Sequence, residues 1–244
     1  MALGVLDAPA PAPAGRIELK QYVGDVLGNR TARRVILAYA AHNWELFGMW
    51  VWMAPFLVSS LAARGRAPAD ALLRGGALAA VIVGAGGSIG AVIGGRLSDR
   101  LGRARVAALA LGASLPCSLA FGWLFHAPFA LVAAVGVLYG VMTMADSPSY
   151  SAGLMEAVPS RSLGGAFSLQ MLLGWAATAL APLAFGGVLD LVQAVQPAPA
   201  TPWGAAFGIL ALGPLAGLIA LRPLAVSRPT PGPTSPPPRS PGHS

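Results

Sequence analysis

Apolar residues fall into six long blocks along the chain, and short polar stretches separate the blocks. Each block approaches the ~20 residues with which an α-helix crosses a bilayer, whereas a buried strand needs only about four to eight. Many glycines and alanines favour helices that pack closely in a membrane. The pattern predicts transmembrane helices at about residues 35–62, 75–95, 104–125, 129–150, 163–189 and 203–221.

The two ends of the chain lack such blocks. Residues 1–15 are rich in Ala and Pro and predict disorder, while residues 16–34 place apolar side chains among charges. This second stretch fits an amphipathic helix on the cytoplasmic membrane face or, equally well, a solvated linker. Residues 223–244 are rich in Pro and Ser and predict a disordered tail. We therefore expect an amino-terminal part (1–34), a membrane domain (35–222) and the tail.

The composition excludes an ordinary soluble domain. Hydrophobic residues make up 55% of the 244 residues and charged residues only 10%, against about 25% charged residues in soluble domains. So few charges cannot cover the surface of a globule of this size. The predicted fold class is therefore an all-α membrane protein with six transmembrane helices.

Arginine and lysine are distributed unevenly over the predicted loops. The net charge is +7, from 16 basic and 9 acidic residues. Arg64, Arg66 and Arg74 lie between the first and second helices, and all the other basic residues lie on the opposite side. The positive-inside rule then places both termini in the cytoplasm, with the chain in a plasma or inner membrane. Because the basic residues flank apolar helices, topology explains them better than nucleic-acid binding does.

The predicted loop between the second and third helices carries a sequence motif. Residues 94–105 read GGRLSDRLGRAR. This segment resembles the cytoplasmic loop signature of the major facilitator superfamily, G-x-L-[AS]-D-R-x-G-R-[RK]. Ala104 departs from the signature, because the family often has a basic residue there. The matching residues are Gly95, Leu97, Ser98, Asp99, Arg100, Gly102 and Arg103.

Further segments resemble one bacterial branch of the same superfamily. Residues 39–50 look like the start of its seventh helix, and residues 145–151 with residues 164–170 look like its tenth-to-eleventh helix region. The resemblance covers roughly residues 20–222 and corresponds to the carboxy-terminal six-helix half only. It implies a permease that moves a small solute by alternating access, built from an inverted pair of three-helix repeats.

The motif residues suit a conformational latch. Glycines such as Gly95 and Gly102 let helices turn and approach closely within a short loop. Asp99 can lie at the amino end of a neighbouring helix, whose dipole favours an anion, and can pair with Arg100 or Arg103. Such a charge cluster could form in one conformational state and separate in another. The alternative is a basic loop that only fixes the topology.

Ionisable side chains inside the first predicted helix are candidates for a transport pathway. Charges within a membrane span are costly and usually face a cavity or a partner, and Glu45 lies ~16 Å into its helix, close to the midplane. Spacing places His42, Glu45, Met49 and Trp52 on one helical face. This face could line the pathway and meet a partner half, and a His–Glu pair could carry a proton. The alternative is a structural pair bonded to a neighbouring helix.

Polar and small residues of the other helices give three more expectations. Asp146, near the cytoplasmic end of the fourth helix, could pair with Arg161 or with the motif arginines as part of a gate. Gln170, about two turns into the fifth helix, could hydrogen-bond a substrate or another helix. Small-xxx-small spacing in the second helix predicts close helix packing. The glycines with this spacing are Gly86, Gly90 and Gly94.

The sequence thus favours a secondary active transporter, or half of one, and leaves proton coupling open. A truncated or non-transporting interaction subunit is the main alternative, because the superfamily fold needs two six-helix halves. A membrane-embedded enzyme is less favoured, since no His-Glu-x-x-His or Gly-x-Ser-x-Gly motif is present, and Cys117 cannot form a metal site alone. We expect no catalytic residue, metal or cofactor. The expected partners are the bilayer, a small solute, protons, and a second six-helix half from another chain or a homodimer.

Overall fold

Six helices of the computed structural model are long and apolar enough to cross a membrane. The structure describes residues 23–196 and 198–226, and within them it contains helices and no β-strand. The predicted fold class is confirmed: the chain is an all-α, multi-pass membrane protein. The six helices are α1 (Arg30–Ala62), α2 (Pro68–Leu101), α3 (Arg103–His126), α4 (Phe129–Ala157), α5 (Ser160–Val195) and α6 (200–226).

The first helix begins earlier than its apolar block. The Asn29 side chain accepts hydrogen bonds from the backbone N–H groups of Thr31 and Ala32, at 2.9 and 3.1 Å. This cap satisfies two of the N–H groups that have no partner within the helix. α1 therefore starts at Arg30, five residues before Val35, where the predicted block begins.

The terminal parts predicted from the sequence are described only in part. Residues 1–22 and 227–244, where most of the predicted disorder falls, lie outside the described residues. Of the predicted amphipathic stretch, Val23–Leu27 forms a single π-helical turn. Residues 223–225 continue α6 instead of beginning a tail, because Leu224 packs against the apolar core.

Five of the six helices change geometry within their length. Irregular backbone frees polar groups, and a membrane helix tolerates it where surrounding protein satisfies those groups. α2 consists of Pro68–Ala80, a π-helical turn Val81–Gly86, and Gly87–Leu101; α3 of Arg103–Phe121 and a 3₁₀ turn Gly122–His126; α4 of Phe129–Ala145 and Ser147–Ala157; α5 of a 3₁₀ turn Ser160–Ser162 and Leu163–Val195; and α6 of Ala200–Leu210 and Leu212–Val226.

Glycines bring α2 against the backbone of α4. A Cβ atom added at Gly90 would collide with the carbonyl oxygen of Val141, and one added at Gly94 would collide with that of Ala145. Gly86 faces the same backbone, with 3.5 Å between an added Cβ atom and the nearest carbonyl oxygen. The close packing predicted from the spacing is therefore confirmed.

The contacts between helices repeat when α1, α2 and α3 are exchanged with α4, α5 and α6. α1 packs against α5 as α4 packs against α2, and α1 packs against α6 as α4 packs against α3. α5 contacts α6 as α2 contacts α3, while α3 and α6 contact each other. Successive membrane helices alternate in direction. The two helices of each exchanged pair are three helices apart along the chain, so they run in opposite directions. Two inverted three-helix repeats have this contact pattern.

Candidate functional site

Polar side chains from three helices meet inside the bundle, and we call this group the buried polar cluster. α1 contributes two ionisable residues one turn apart, His42 and Glu45, which are 2% and 0% exposed. Polar groups in such surroundings are costly unless they are hydrogen-bonded, so their bonds determine how the helices fit together. The remaining members are Ser114 and Ser118 of α3, and Tyr139, Asp146, Ser147 and Tyr150 of α4.

Hydroxyl groups hold both oxygens of the Glu45 carboxyl group. The Ser114 hydroxyl donates to Oε2 at 2.8 Å, and the Ser118 hydroxyl donates to Oε1 at 2.5 Å. The Ser118 oxygen also lies 2.8 Å from the Tyr139 hydroxyl oxygen of α4. No cation contacts Glu45 in the described part of the chain. Glu45 thus fastens α1 to α3 and α4 through neutral donors.

His42 joins α1 to α4 through a different set of groups. Its Nδ1 lies 2.9 Å from Asp146 Oδ1, within ion-pair distance but without the alignment of a hydrogen bond. Its Nε2 lies 2.9 Å from the Ser147 hydroxyl. The Tyr150 hydroxyl donates to Asp146 Oδ2 at 2.7 Å. The imidazole is therefore in contact with a carboxylate on one side and a hydroxyl group on the other.

Asp146 stands at the break in α4. The helix stops at Ala145 and resumes at Ser147, and Pro148, which has no N–H group, follows at the start of the second segment. Asp146 is 1% exposed, its backbone N–H donates to the Met144 carbonyl oxygen, and its own carbonyl oxygen accepts from the Ser149 N–H at 2.9 Å. A broken transmembrane helix with a buried carboxylate at the break is an arrangement that transporters use for binding sites.

A few buried polar atoms have no hydrogen-bond partner within residues 23–196 and 198–226. They include both amide atoms of Gln170 and the hydroxyl group of Ser149, on residues that are 0% and 3% exposed. Gln170 lies on the face of α5 that turns toward α1, because Gly174, one turn later, faces Tyr39 and Asn43. Since nearly all buried polar groups in proteins bond to protein or water, these atoms mark positions where a water molecule or a polar solute can bond.

The four side chains predicted to line a pathway contact different neighbours. Met49 is fully buried in the larger apolar cluster. Trp52 stacks on Phe185 of α5, and its Nε1 donates to the Pro182 carbonyl oxygen at 3.0 Å. Glu45 and His42 contact α3 and α4, as described above. All four side chains are therefore engaged inside the bundle and do not form the open partner-facing surface expected from the sequence. Other helices pack against α1 on several sides, so the four side chains do not form one open surface.

The motif residues form a charged cluster at the end of α2, and we call it the loop cluster. Arg103 pairs with Asp99, donates to the Ser98 hydroxyl at 2.7 Å, and contacts Glu156 Oε1 of α4 at 3.2 Å. Gly102 adopts a φ of 95°, which favours glycine. Its neighbour Arg100 is exposed, and Gly95 packs against Pro148, with 3.7 Å from an added Cβ atom to the proline ring. Arg103 thus links α2, α3 and α4.

A second charged cluster joins the segment before α1 to the start of α5 and the end of α4. Arg161 Nε and Nη2 each donate to Asp25 at 3.0 Å, and the Ser162 hydroxyl donates to the same carboxylate at 2.6 Å. These bonds, first from Arg161 and then from Ser162, lower the pKa of Asp25 below its ordinary value. The Asn29 amide also donates to the Ala157 carbonyl oxygen at 2.6 Å. Arg161 is therefore paired with Asp25, and the expected Asp146–Arg161 pair is absent.

An open cleft of about 430 Å³ lies among the helix ends on this side. It is bounded by the start of α1, the start of α3, the second segment of α4 and the end of α6. Arg103, Arg105 and Glu156 line its charged part, and Ser149 and Tyr150 line its inner part. Since Tyr150 bonds to Asp146, the cleft extends from the loop cluster toward the buried polar cluster.

Several residues of these clusters were not singled out from the sequence. Ser114 and Ser118 stand one helical turn apart in an apolar block, and this spacing was an available signal for a polar helix face. Asp25 and Glu156 carried no such signal, because their partners are far away in the chain. Within residues 23–196 and 198–226, no three His, Cys, Asp or Glu residues are grouped to hold a metal ion.

Comparison with known proteins gives no assignment. No model of a known protein family matches the chain, and no curated protein matches it. The resemblance to the major facilitator superfamily consequently stays a prediction from the motif and flanking segments.

Proposed function

We propose that this chain is one six-helix half of a secondary active transporter of the major facilitator type, which moves a small solute by alternating access. The observation that carries the proposal is the buried His42–Asp146 pair at the break in α4. Ionisable residues inside a membrane are expensive and are usually retained for function. Here the pair joins α1 and α4, which are the first helices of the two repeats.

The contact pattern of the helices supports the same proposal. Inverted repeats place substrate and ion sites near the membrane midplane, where discontinuous helices meet. The break at Asp146 and the contacts between α1 and α4 fit this arrangement. Glu45 and His42 are the candidates for proton coupling, because both are enclosed with hydroxyl groups through which a proton can pass.

The charged clusters supply the conformational part of the mechanism. The loop cluster ties α4 to the α2–α3 loop, and the Asp25–Arg161 pair ties the segment before α1 to the start of α5. Opening this side requires these ties to separate, while closing it forms them again. Charge pairs near the surface suit such a role, since solvent screens them and they break readily.

The orientation of the chain in the membrane can be tested directly. The arginine-rich side carries the start of α1 and the end of α6, and we propose that it faces the cytoplasm. A reporter that is active only outside the cytoplasm, fused to Ser244, should give little signal. The same reporter fused after Arg66 should be active, and the reverse result would reject the orientation.

Transport itself is tested with purified protein in proteoliposomes on a solid-supported membrane. The chain is studied alone and co-expressed with any six-helix chain encoded beside it, and sugars, amino acids and organic acids are applied under a pH gradient. We expect a solute-dependent current that falls at least about tenfold in Asp146→Asn, with exposed Asp70→Asn as the matched control. Absence of current in every assembly would favour the non-transporting subunit, and current from a strict monomer would refute the need for a second half.

A further inference from the structure

We propose that the arginine-rich end of the seam between α3 and α6 binds an anionic phospholipid through its phosphate headgroup. This site is separate from the buried polar cluster and does not depend on the proposed transport function. Two cavities adjoin there: the open cleft among the helix ends, and an apolar groove of about 300 Å³ on the outer face of the seam. Arg105 lines the first cavity, and its Nε donates to the carbonyl oxygen of Ala225, which lines the second, at 3.2 Å.

Acidic side chains of the described residues do not neutralise the positive charge at the seam. Arg105 and Arg222 are both exposed, and neither forms an ion pair within residues 23–196 and 198–226. Arg103, by contrast, is paired with Asp99 and Glu156. An anionic headgroup would therefore meet the two unpaired guanidinium groups without displacing an acidic side chain.

The start of α3 adds donors to the same place. The segment Arg103–Phe121 has 19 residues, and no side chain caps its first N–H groups. Uncapped N–H groups at a helix start favour a phosphate or other oxyanion. Ser149, which is 3% exposed and whose hydroxyl has no partner in the described chain, lines the cleft opposite this helix start. These groups can bond phosphate oxygens that the arginines attract.

The groove beside the arginines selects a lipid over a soluble phosphate. Its lining residues below Arg222 are Ala108, Leu218 and Ile219, all apolar, and Ile219 is 68% exposed on the outer surface of the bundle. An acyl chain can occupy this groove while its headgroup lies at the helix ends. Basic pockets between transmembrane helices near the membrane surface are typical sites for anionic lipid headgroups.

The test compares lipids that share acyl chains and differ in headgroup charge. The full chain in mild detergent is titrated with dioleoylphosphatidylglycerol or dioleoylphosphatidylcholine, and bound lipids are counted by intact-complex mass spectrometry. We expect clear preference for phosphatidylglycerol. Arg105→Gln with Arg222→Gln should weaken its binding by about fivefold per arginine, roughly 25-fold for the pair. Arg66→Gln with Arg74→Gln removes two charges on the opposite side and should change little.

Two further measurements distinguish binding of a lipid from binding of a soluble anion. Ala108→Phe fills the groove and should weaken phosphatidylglycerol binding with both arginines intact. Soluble glycerol 3-phosphate carries similar headgroup chemistry without acyl chains, and it should compete poorly. Equal binding of the two lipids, or unchanged binding in the double arginine variant, would overturn the site. Efficient competition by glycerol 3-phosphate would overturn the lipid assignment. Both arginines are exposed, so the double variant remains informative even if Ala108→Phe fails to fold.

Discussion

The buried His42–Asp146 pair gives the sharpest quantitative prediction. Its side chains are 2% and 1% exposed, whereas those of the Arg74–Asp70 pair on the opposite side are 56% and 32% exposed. Removing one partner of a buried pair leaves an uncompensated charge or polar group and costs about 3–5 kcal/mol. An exposed pair contributes only about 0.2–1 kcal/mol. The two pairs have similar N···O distances, 2.9 and 2.6 Å. Burial therefore predicts that losing the His42–Asp146 pair costs several times more free energy of unfolding than losing the Arg74–Asp70 pair.

A double-mutant cycle measures this difference. His42→Leu leaves the Asp146 carboxyl group without its imidazole partner and should lower the free energy of unfolding by about 3–5 kcal/mol. Asp146→Asn can still accept the hydrogen bond from Tyr150. The double variant leaves neither partner of the pair uncompensated, so it should lose less than the two single losses combined. The expected coupling energy is about 1–3 kcal/mol for the buried pair.

The assay is reversible unfolding in mixed detergent micelles with increasing dodecyl sulfate, followed by helical circular dichroism. Asp70→Asn and Arg74→Gln form the control cycle, with an expected coupling below about 1 kcal/mol. Additivity within about 0.5 kcal/mol at His42 and Asp146 would mean that the two groups do not interact. The proposed role of the pair in joining the repeats would then be refuted.

Three other outcomes follow from the structure. Gly90→Ala should destabilise the protein by about 1–3 kcal/mol through collision with α4, while Gly76→Ala, where an added Cβ atom meets nothing within 4 Å, should be neutral or stabilising; equal unfolding midpoints would argue against the close packing. Asp99→Asn should slow solute turnover and leave substrate affinity nearly unchanged in proteoliposome uptake; lost affinity at normal turnover would indicate a binding role. Since Arg161 lowers the pKa of Asp25, that contact stabilises the folded state above about pH 4 and is lost as pH falls through the folded-state pKa; wild type should therefore lose its stability advantage over Asp25→Asn on acidification, and a constant difference would contradict this.

The membrane helices could be predicted because lipid imposes a simple rule. A backbone that crosses a bilayer must satisfy its own hydrogen bonds, so long apolar blocks become helices. The same rule does not fix helix ends, which depend on local caps such as Asn29. Small-residue spacing predicted close packing of the second helix, because small residues along one face let helix backbones approach. It did not indicate that the partner would be α4.

Pairings between distant polar residues could not be obtained in the same way. Asp146 was recognisable as a costly charge inside a helix, but its partner depended on how α1 packs against α4. The sequence left Asp146 two candidate partners, Arg161 or the motif arginines. In the structure Arg161 pairs with Asp25, 136 residues earlier in the chain, and Asp146 contacts His42. Short-range sequence patterns do not specify which loops meet at one end of a bundle. The contact between the segment before α1 and the start of α5 is visible only in the three-dimensional structure.

One short helix connects the buried and the exposed clusters. The segment Ser147–Ala157 has 11 residues, so it spans about 16 Å from the Asp146 break to the loop region. At its inner end Ser147 contacts His42, and at its outer end Glu156 and Ala157 bond to Arg103 and Asn29. A rigid element held at both ends can pass a change at one end to the other. We expect binding or protonation that moves the inner end to strain the outer bonds. By reciprocity, fixing the outer bonds should then alter affinity at the buried polar cluster.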